Sequence, residues 1–194
     1  MPWGAGERTP GRNLEDSTAT RMDANDPNAR TDPPGRDAST WLPAPALAEH
    51  LAEEVARAER HLGPLSCLLV VIEDLDTVVE RYGDELAEQA LAHLAQALRG
   101  ELRLFDKVGR PSPRELIVLL PGADGPRGEI VARRALQRLR TIKIEVDGHR
   151  RPLPITIGLA TWREGLTAEA LVEQARSAAL ASRWTQTGDV RAAD

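Results

Sequence analysis

The amino-acid sequence predicts a mixed α/β (α+β) fold, in which a central mixed β-sheet is flanked by helices on both faces. Stretches with helical periodicity alternate with short apolar runs of strand length. One of these runs, "SCLLVVIEDL", is unbroken, which is typical of a central strand covered on both faces. Two pairs of strands are joined by turn signals, and hairpins inserted among alternating strands and helices indicate a mixed sheet.

The first three elements are set by apolar periodicity. From Pro43 to His61, apolar residues recur at spacings of four, as in an amphipathic helix. The apolar strand "SCLLVVIEDL" follows. The stretch "ELAEQALAHLAQALRGEL" is the clearest helix, because its leucines share one face and Gly100 marks its end.

The later elements depend on turn chemistry as well. The runs "ELRLFDKVG" and "RELIVLLPG", joined through "RPSP", predict an antiparallel hairpin with a proline-stiffened connection. A helix is expected from about Pro126 to Arg140. The runs "TIKIEV" and "RPLPITIGLAT" flank Asp147-Gly148, a good hairpin turn signal. A last helix is expected from about Thr167 to Trp184.

Composition limits the domain plan and the classes of partner. The chain has 194 residues, of which 41% are hydrophobic and 3% aromatic, so one domain with an aliphatic core is expected. Residues 1–36 are too poor in apolar side chains to repay their ordering entropy. We therefore expect a disordered N-terminal tail over 1–36, a folded domain over 37–185 and a flexible C-terminal tail over 186–194.

Charge and hydropathy exclude several functions. The net charge of −5 argues against non-specific nucleic-acid binding, so no nucleic-acid partner is expected. No apolar stretch approaches the roughly 20 residues that span a bilayer, and the N-terminus has no apolar signal region. No membrane insertion and a cytoplasmic location are expected. The four histidines have no ligand spacing, and the single cysteine, Cys67, is expected to fill the core.

A succession of short motifs from Asp37 to about Trp184 resembles the GGDEF domain of diguanylate cyclases. "DASTWLP" is similar to the family's entry motif D-x-L-T-G-L-P, and "LLVVIEDLDTVVERYGDELAEQAL" follows the pattern around its first metal-binding strand. "RELIVLLPG" matches the strand after the family's signature, and "ITIGLAT" matches its S-I-G-V-A segment. The order and spacing of these pieces carry the resemblance, which implies a GGDEF-like fold with a β-hairpin at the signature.

The signature itself departs from the family. In register, G-G-D/E-E-F falls on "SPREL", residues 112–116. The family transfers phosphoryl groups between two GTP molecules, which needs carboxylates for divalent metal and a backbone free to approach the nucleotide. Pro113 replaces a glycine, and Arg114 replaces a metal-binding acid. The first metal aspartate and the two guanine-contacting positions fall on Val71, Val79 and Glu88.

Glu73 and Glu115 are the surviving acids of these motifs. Hard cations such as magnesium require several oxygen ligands, which two residual carboxylates do not provide. The resemblance therefore implies a degenerate diguanylate cyclase that is not an enzyme, with no catalytic residues, no metal ligands and no resident cofactor.

A second motif of the family is retained. Arg103-Leu104-Phe105-Asp106 is an R-x-x-D at the spacing of the inhibitory site, where the product cyclic di-GMP binds. An arginine fork suits the O6/N7 edge of guanine, and an aspartate accepts from its N1/N2 edge. By the same resemblance, Arg134 completes this site, and Arg57 matches an arginine that a second domain supplies across a ligand-bridged contact. The chain is thereby predicted to be a cyclic di-GMP receptor, with a protein partner or a ligand-linked homodimer.

Two other interpretations stay open. Arginine provides every basic residue except Lys107 and Lys143, so an R-x-x-D arises easily by chance, and a surface Arg/Asp pair is usually a solvated ion pair. The chain would then be a protein-interaction module with a vestigial motif and no nucleotide binding. A weakly active cyclase is the third interpretation, and Val71, Val79 and Arg114 argue against it.

Overall fold

The structure, a computed structural model, describes residues 41–183 and 190–193. The predicted tail over 1–36 lies outside the described residues, as does Trp184. The elements, in chain order, are β1 (Leu42–Pro43), α1 (Ala44–His61), β2 (Leu65–Ile72), α2 (Leu75–Tyr82), α3 (Asp84–Gly100), β3 (Lys107–Ser112), β4 (Glu115–Pro121), α4 (Gly125–Leu139), β5 (Lys143–Val146), β6 (His149–Pro152), β7 (Ile155–Thr161), α5 (Ala168–Arg183) and β8 (Val190–Ala192).

The central sheet has the strand order β1-β3-β4-β2-β7-β8 in the described part of the chain. Its inner pairs, β3–β4, β4–β2 and β2–β7, are antiparallel. The outer pairs, β1–β3 and β7–β8, are parallel. The mixed sheet predicted from the sequence is confirmed, with the apolar strand β2 near its middle.

Both faces of the sheet are covered, which explains the unbroken apolar run of β2. Leu68, Val70 and Ile72 pack with α3 and α4 on one face, whereas Cys67 and Leu69 pack with α1 and α5 on the other. The Cys67 thiol is fully buried, and burial raises its pKa to about 12. Cys67 is therefore a core residue, as expected.

Helix α2 was not predicted. Strand β2 ends at Ile72 rather than continuing to Leu75, and Asp74 adopts a left-handed backbone conformation with φ of 57° immediately before the helix. Leu75 and Val78 are buried, while Val79 and Tyr82 are partly buried against the same core. Their spacing is helical, but the eight-residue length and the missing side-chain cap leave little local signal.

The second predicted hairpin is shorter than expected. Asp147 and Gly148 form its turn, with φ of 53° and 70°, but they join β5 to β6 in a separate two-stranded sheet. Strand β7 instead pairs with β2 in the central sheet. Pro152 and Pro154 explain the break, because neither can donate a backbone hydrogen bond to a continuing ladder.

Residues 190–193 of the segment predicted to be a flexible tail, 186–194, are described by the structure. Val190–Ala192 form β8, whose backbone pairs in parallel with Ile157–Leu159 of β7. The outer edge of β7 offers unpaired backbone groups, and three residues suffice to pair with them. None of the described helices is both long and apolar enough to cross a membrane.

Candidate functional site

Arg103 and Asp106 lie in a turn between α3 and β3. The sequence placed them on the strand that leads into the hairpin, but β3 begins only at Lys107. The backbone N–H of Arg103 donates to Oδ2 of Asp106 at 2.7 Å, and the N–H of Asp106 donates to the Arg103 carbonyl at 3.2 Å. The R-x-x-D segment therefore closes on itself, and its two ends are fixed relative to each other.

Arg134 approaches this turn from α4. Its Nε lies 3.3 Å from Oε2 of Glu101, and its guanidinium also donates to the Glu101 carbonyl. The Arg134 side chain is still 53% exposed. Helices α3 and α4 pack against each other, which brings this arginine close enough for its charge to act on Asp106. Three of the four predicted site residues are thus brought together.

The Asp106 carboxyl is partly buried in the turn. Burial is the largest influence and raises its pKa above the ordinary value. The N–H of Arg103 and the charges of Arg103 and Arg134 act in the opposite direction, but more weakly. Two nearby arginines therefore do not offset the loss of solvent around this carboxylate.

A cavity of about 220 Å³ opens beside the turn. It is lined by Leu42, Arg99, Leu102, Arg103, Leu104, Asp106, Lys107 and Val108. Arg134 is not among the lining residues, so it would reach a bound molecule from the rim. The lining combines apolar side chains with positive ones and one carboxylate, which suits a flat, hydrogen-bonding anion.

Arg57 lies elsewhere. Its guanidinium is 3.2 Å from a carboxylate oxygen of Glu54 on the same helix, and its side chain is 61% exposed. It lines a different groove, formed by the end of α1 together with segments 63–65 and 121–122. A contact between Arg57 and the turn within one chain is therefore not observed.

The β3–β4 hairpin carries a second group of charged residues. Glu115 accepts two hydrogen bonds from Arg176 of α5, each at 3.0 Å, and one from Ser112 Oγ at 3.2 Å. Arg176 also donates to Glu173 at 2.8 Å. The hydrogen bonds from Arg176 lower the pKa of Glu115 and outweigh its burial, while the carboxylate raises the pKa of Arg176.

Two more arginines of this hairpin are paired with acids. Arg114 lies 2.8 Å from Asp76 of α2. Arg110 forms a forked pair with Glu88 of α3, at 3.0 and 2.9 Å, and its guanidinium carbon lies 5.3 Å from the centre of the Trp41 ring. Trp41 is also partly buried against the α3–α4 side of the core, so it is a packing residue.

The two valines that align with ligand positions of the family are packing residues. Val71 is partly buried against the α1–α5 side of the core, and Val79 against the α3–α4 side. Glu73 accepts from Thr156 Oγ1 at 3.1 Å. Among residues 41–183 and 190–193, no three His, Cys, Asp or Glu side chains are grouped to hold a metal ion. With Glu115 held by Arg176, the residues present do not fit the family's divalent cation.

Arg176 is the residue that sequence reasoning missed. Its spacing from Glu173 indicates only a local pair along one helix. Its forked contact with Glu115, 61 residues away in sequence, depends on α5 crossing the sheet beside the hairpin. No short motif marks that approach.

Comparison with known proteins agrees with this fold. Residues 36–187 match the family model described as "Diguanylate cyclase, GGDEF domain". The chain is 31% identical over 147 residues to the diguanylate cyclase DgcP of Pseudomonas aeruginosa, an alignment that covers 73% of this chain and 21% of that protein. The chain spans less than half the length of the curated relatives it matches.

Solved structures give the same result. The GGDEF domain of TpbB (YfiN) from Pseudomonas aeruginosa superposes with a TM-score of 0.70 and 25% identity, covering 80% of this chain and 98% of that chain. The GGDEF domain of DgcB from Caulobacter crescentus, in complex with cyclic di-GMP, gives a TM-score of 0.74 at 15% identity, covering 84% and 98%. The second likeness concerns the fold alone.

Proposed function

This chain belongs to the GGDEF family of diguanylate cyclase domains, and on that premise we propose that it binds cyclic di-GMP without synthesising it. The single observation that carries the proposal is the closed turn of Arg103 and Asp106 with Arg134 beside it. This arrangement lies just before β3, at the opposite end of that strand from the hairpin turn that contains Arg114.

The chemistry of the turn supports a guanine ligand. Among the described residues, no hydrogen-bond acceptor is found for the Arg103 guanidinium, so its fork is available for the O6/N7 edge of guanine. Asp106 uses Oδ2 for the N–H of Arg103, which leaves Oδ1 to accept from the N1/N2 edge. One short turn thus presents the donors and the acceptor that a guanine base requires.

Arg134 supplies the contact to a phosphate. Its side chain is half exposed and is held by Glu101, an arrangement in which a doubly charged ligand competes with one partly exposed carboxylate. Arg57, in its separate groove, would act on a ligand held by another copy of the chain. In that case cyclic di-GMP links two domains.

We propose further that the chain makes no cyclic di-GMP. This part of the proposal is supported by the valines at positions 71 and 79, by Pro113 in the signature, and by the pairing of Glu115 with Arg176. DgcP, by contrast, is named as a cyclase.

A protein-interaction module is the second candidate function. Leu104 and Phe105 project from the turn and are 67% and 75% exposed. Exposed apolar side chains of this size are found at binding sites for other proteins as well as for small molecules.

Calorimetric titration with cyclic di-GMP, and separately with GTP and magnesium, tests the proposal. The wild-type protein should bind cyclic di-GMP. Arg103→Ala and Asp106→Ala should each weaken binding by one to two decades, because a charged hydrogen bond contributes about 1.5–3 kcal/mol. Arg134→Ala should weaken it as well.

Arg133→Ala is the matched control, because Arg133 is the neighbour of Arg134 on α4 and pairs with Glu129 instead. It should leave the affinity unchanged. Arg57→Ala should reduce ligand-dependent dimerisation in sedimentation velocity and leave the first binding step intact. If the wild-type protein gives no heat at high micromolar cyclic di-GMP, the receptor function is wrong and the interaction module takes its place.

A further inference from the structure

The tip of the α3–β3 turn carries apolar surface that the fold does not use. Phe105 is the single phenylalanine of the chain, and it is 75% exposed beside Leu104, which is 67% exposed. The hydrogen bonds between Arg103 and Asp106 fix the turn on either side of them. The two side chains are therefore presented on a rigid support rather than on a loose loop.

The neighbouring cavity is too small for the whole proposed ligand. It measures about 220 Å³, whereas pockets that enclose drug-sized ligands hold roughly 300–1,000 Å³. Cyclic di-GMP contains two guanine bases, so one base at most is enclosed and the other must lie against the surface near the opening. Leu104 and Asp106 both line the cavity. Phe105 stands between them in sequence and is exposed, outside the lining itself.

We propose that Phe105 is a stacking platform for the second purine base of the ligand. The inference rests on the proposed function and adds a residue that sets specificity for a two-base nucleotide. Aromatic rings stack on any base, because every base presents a π-face, and exposed aromatic side chains serve this purpose in single-strand nucleic-acid sites. Arg103 and Asp106 read the edge of the enclosed base, and Phe105 covers the face of the projecting one.

A protein surface is a weaker match for the tip. An aromatic side chain buries about 150–250 Å², and a specific interface needs about 800 Å² from each partner. Arg103, Asp106 and Lys107 flank the two apolar residues in sequence with charge and line the adjoining cavity. The apolar area is therefore suited to one ring rather than to a folded partner or a second copy.

Calorimetry with two ligands and three variants tests the inference. Phe105→Ala should weaken cyclic di-GMP binding on the order of tenfold, which is within the range for losing one base–aromatic stack. Phe105→Tyr should retain the wild-type affinity because it keeps the ring, and Phe105→Leu should behave like the alanine variant. Affinity for GMP, which has a single base for the cavity, should be the same in all four proteins.

Leu180→Ala is the matched control, because Leu180 is 51% exposed on α5, which packs on the opposite face of the sheet from α3. It should bind both ligands as the wild type does, and thermal melts should show that every variant is folded. If the wild type binds cyclic di-GMP but Phe105→Ala or Phe105→Leu binds equally well, stacking is wrong while the receptor function stands. The stacking role would also be overturned if Phe105→Ala lost affinity for GMP as well as for cyclic di-GMP. The same holds if the wild type self-associates without ligand and Phe105→Ala does not. If the wild type binds neither ligand, the proposed function itself fails.

Discussion

At the scale of single residues, three arginines of the hairpin region each pair with a carboxylate. The Arg176–Glu115 pair differs from the Arg114–Asp76 pair in burial: its side chains are 33% and 18% exposed, against 56% and 60%. Exposed ion pairs contribute little to stability, whereas a forked, partly buried pair contributes more. Through its pair with Glu115, Arg176 therefore attaches the hairpin to α5.

Glu115→Gln is expected to lower the free energy of unfolding by about 1–2 kcal/mol at pH 7, because Arg176 loses a charged acceptor. The sign of its pH dependence follows from the pKa of Glu115, which Arg176 holds below its ordinary value of 4.5. The stabilisation is present above that value and is lost as the pH falls through the lower, folded-state pKa. Urea denaturation at pH 7 and near pH 3 should show the difference between wild type and variant shrinking.

Glu173→Gln serves as the control for this prediction. Glu173 contacts the same arginine but is 64% exposed, so its loss should cost less than about 0.5 kcal/mol. A Glu115→Gln protein as stable as the wild type at pH 7 would contradict the assigned role of the pair.

The candidate site could be predicted from the sequence only where its residues are close in sequence. Arg103 and Asp106 are three apart, and a family motif marks them. Arg134 was found through register with the family. Arg176 was missed because its contact with Glu115 depends on the packing of α5 beside the hairpin. No sequence spacing between the two residues predicts that contact.

At the scale of elements, predictions succeeded where a long pattern was present. Strand β2 and helix α3 carry unbroken or strongly periodic apolar residues, and both lie within a few residues of the expected bounds. Helix α2 and strand β8 were not predicted, because eight and three residues are too few to show a clear apolar periodicity. The hairpin around Asp147-Gly148 was predicted too long for another reason. Strand β7 pairs with β2 in the central sheet, and this long-range pairing competed with the local hairpin signal.

Helix α5 packs closely on β7 at Gly158. A Cβ at this position would lie 1.9 Å from the Ala175 carbonyl oxygen and 2.4 Å from the Ala179 nitrogen. Gly158→Ala should therefore push α5 away from the sheet, at a cost of about 1–3 kcal/mol or more. A thermal melt should show the loss as a fall of several degrees in Tm.

Gly100→Ala is the control for this substitution. Gly100 is the last residue of α3, and nothing lies within 4 Å of an added Cβ. Its replacement should leave the stability unchanged or raise it by up to about 1 kcal/mol, because alanine loses less backbone entropy in a helix. Equal Tm values for Gly158→Ala and the wild type would show that α5 does not rest on β7 in this way.

At the scale of the whole molecule, the candidate ligand site and the altered signature lie at opposite ends of one strand. Asp106 precedes β3 and Pro113 follows it, and six residues of strand extend about 20 Å. Separate side chains also surround the two ends, with Arg134 and Glu101 at the first and Arg176 and Glu115 at the second. Substitutions in the signature can therefore alter the chemistry at that end of β3 while the turn of Arg103 and Asp106 keeps its geometry.

The expected consequence is catalytic silence together with ligand binding. Incubation with GTP and magnesium should yield no cyclic di-GMP by chromatography, because the acids that remain at the hairpin are held by arginine or threonine rather than free for a cation. DgcP in the same assay is the positive control, and a mock preparation is the negative one. The Arg176→Ala variant should also form no cyclic di-GMP, because releasing Glu115 leaves Val71 and Arg114 at the other positions that align with metal ligands. Turnover by the purified wild-type protein above the mock preparation would overturn the prediction and restore the weakly active cyclase.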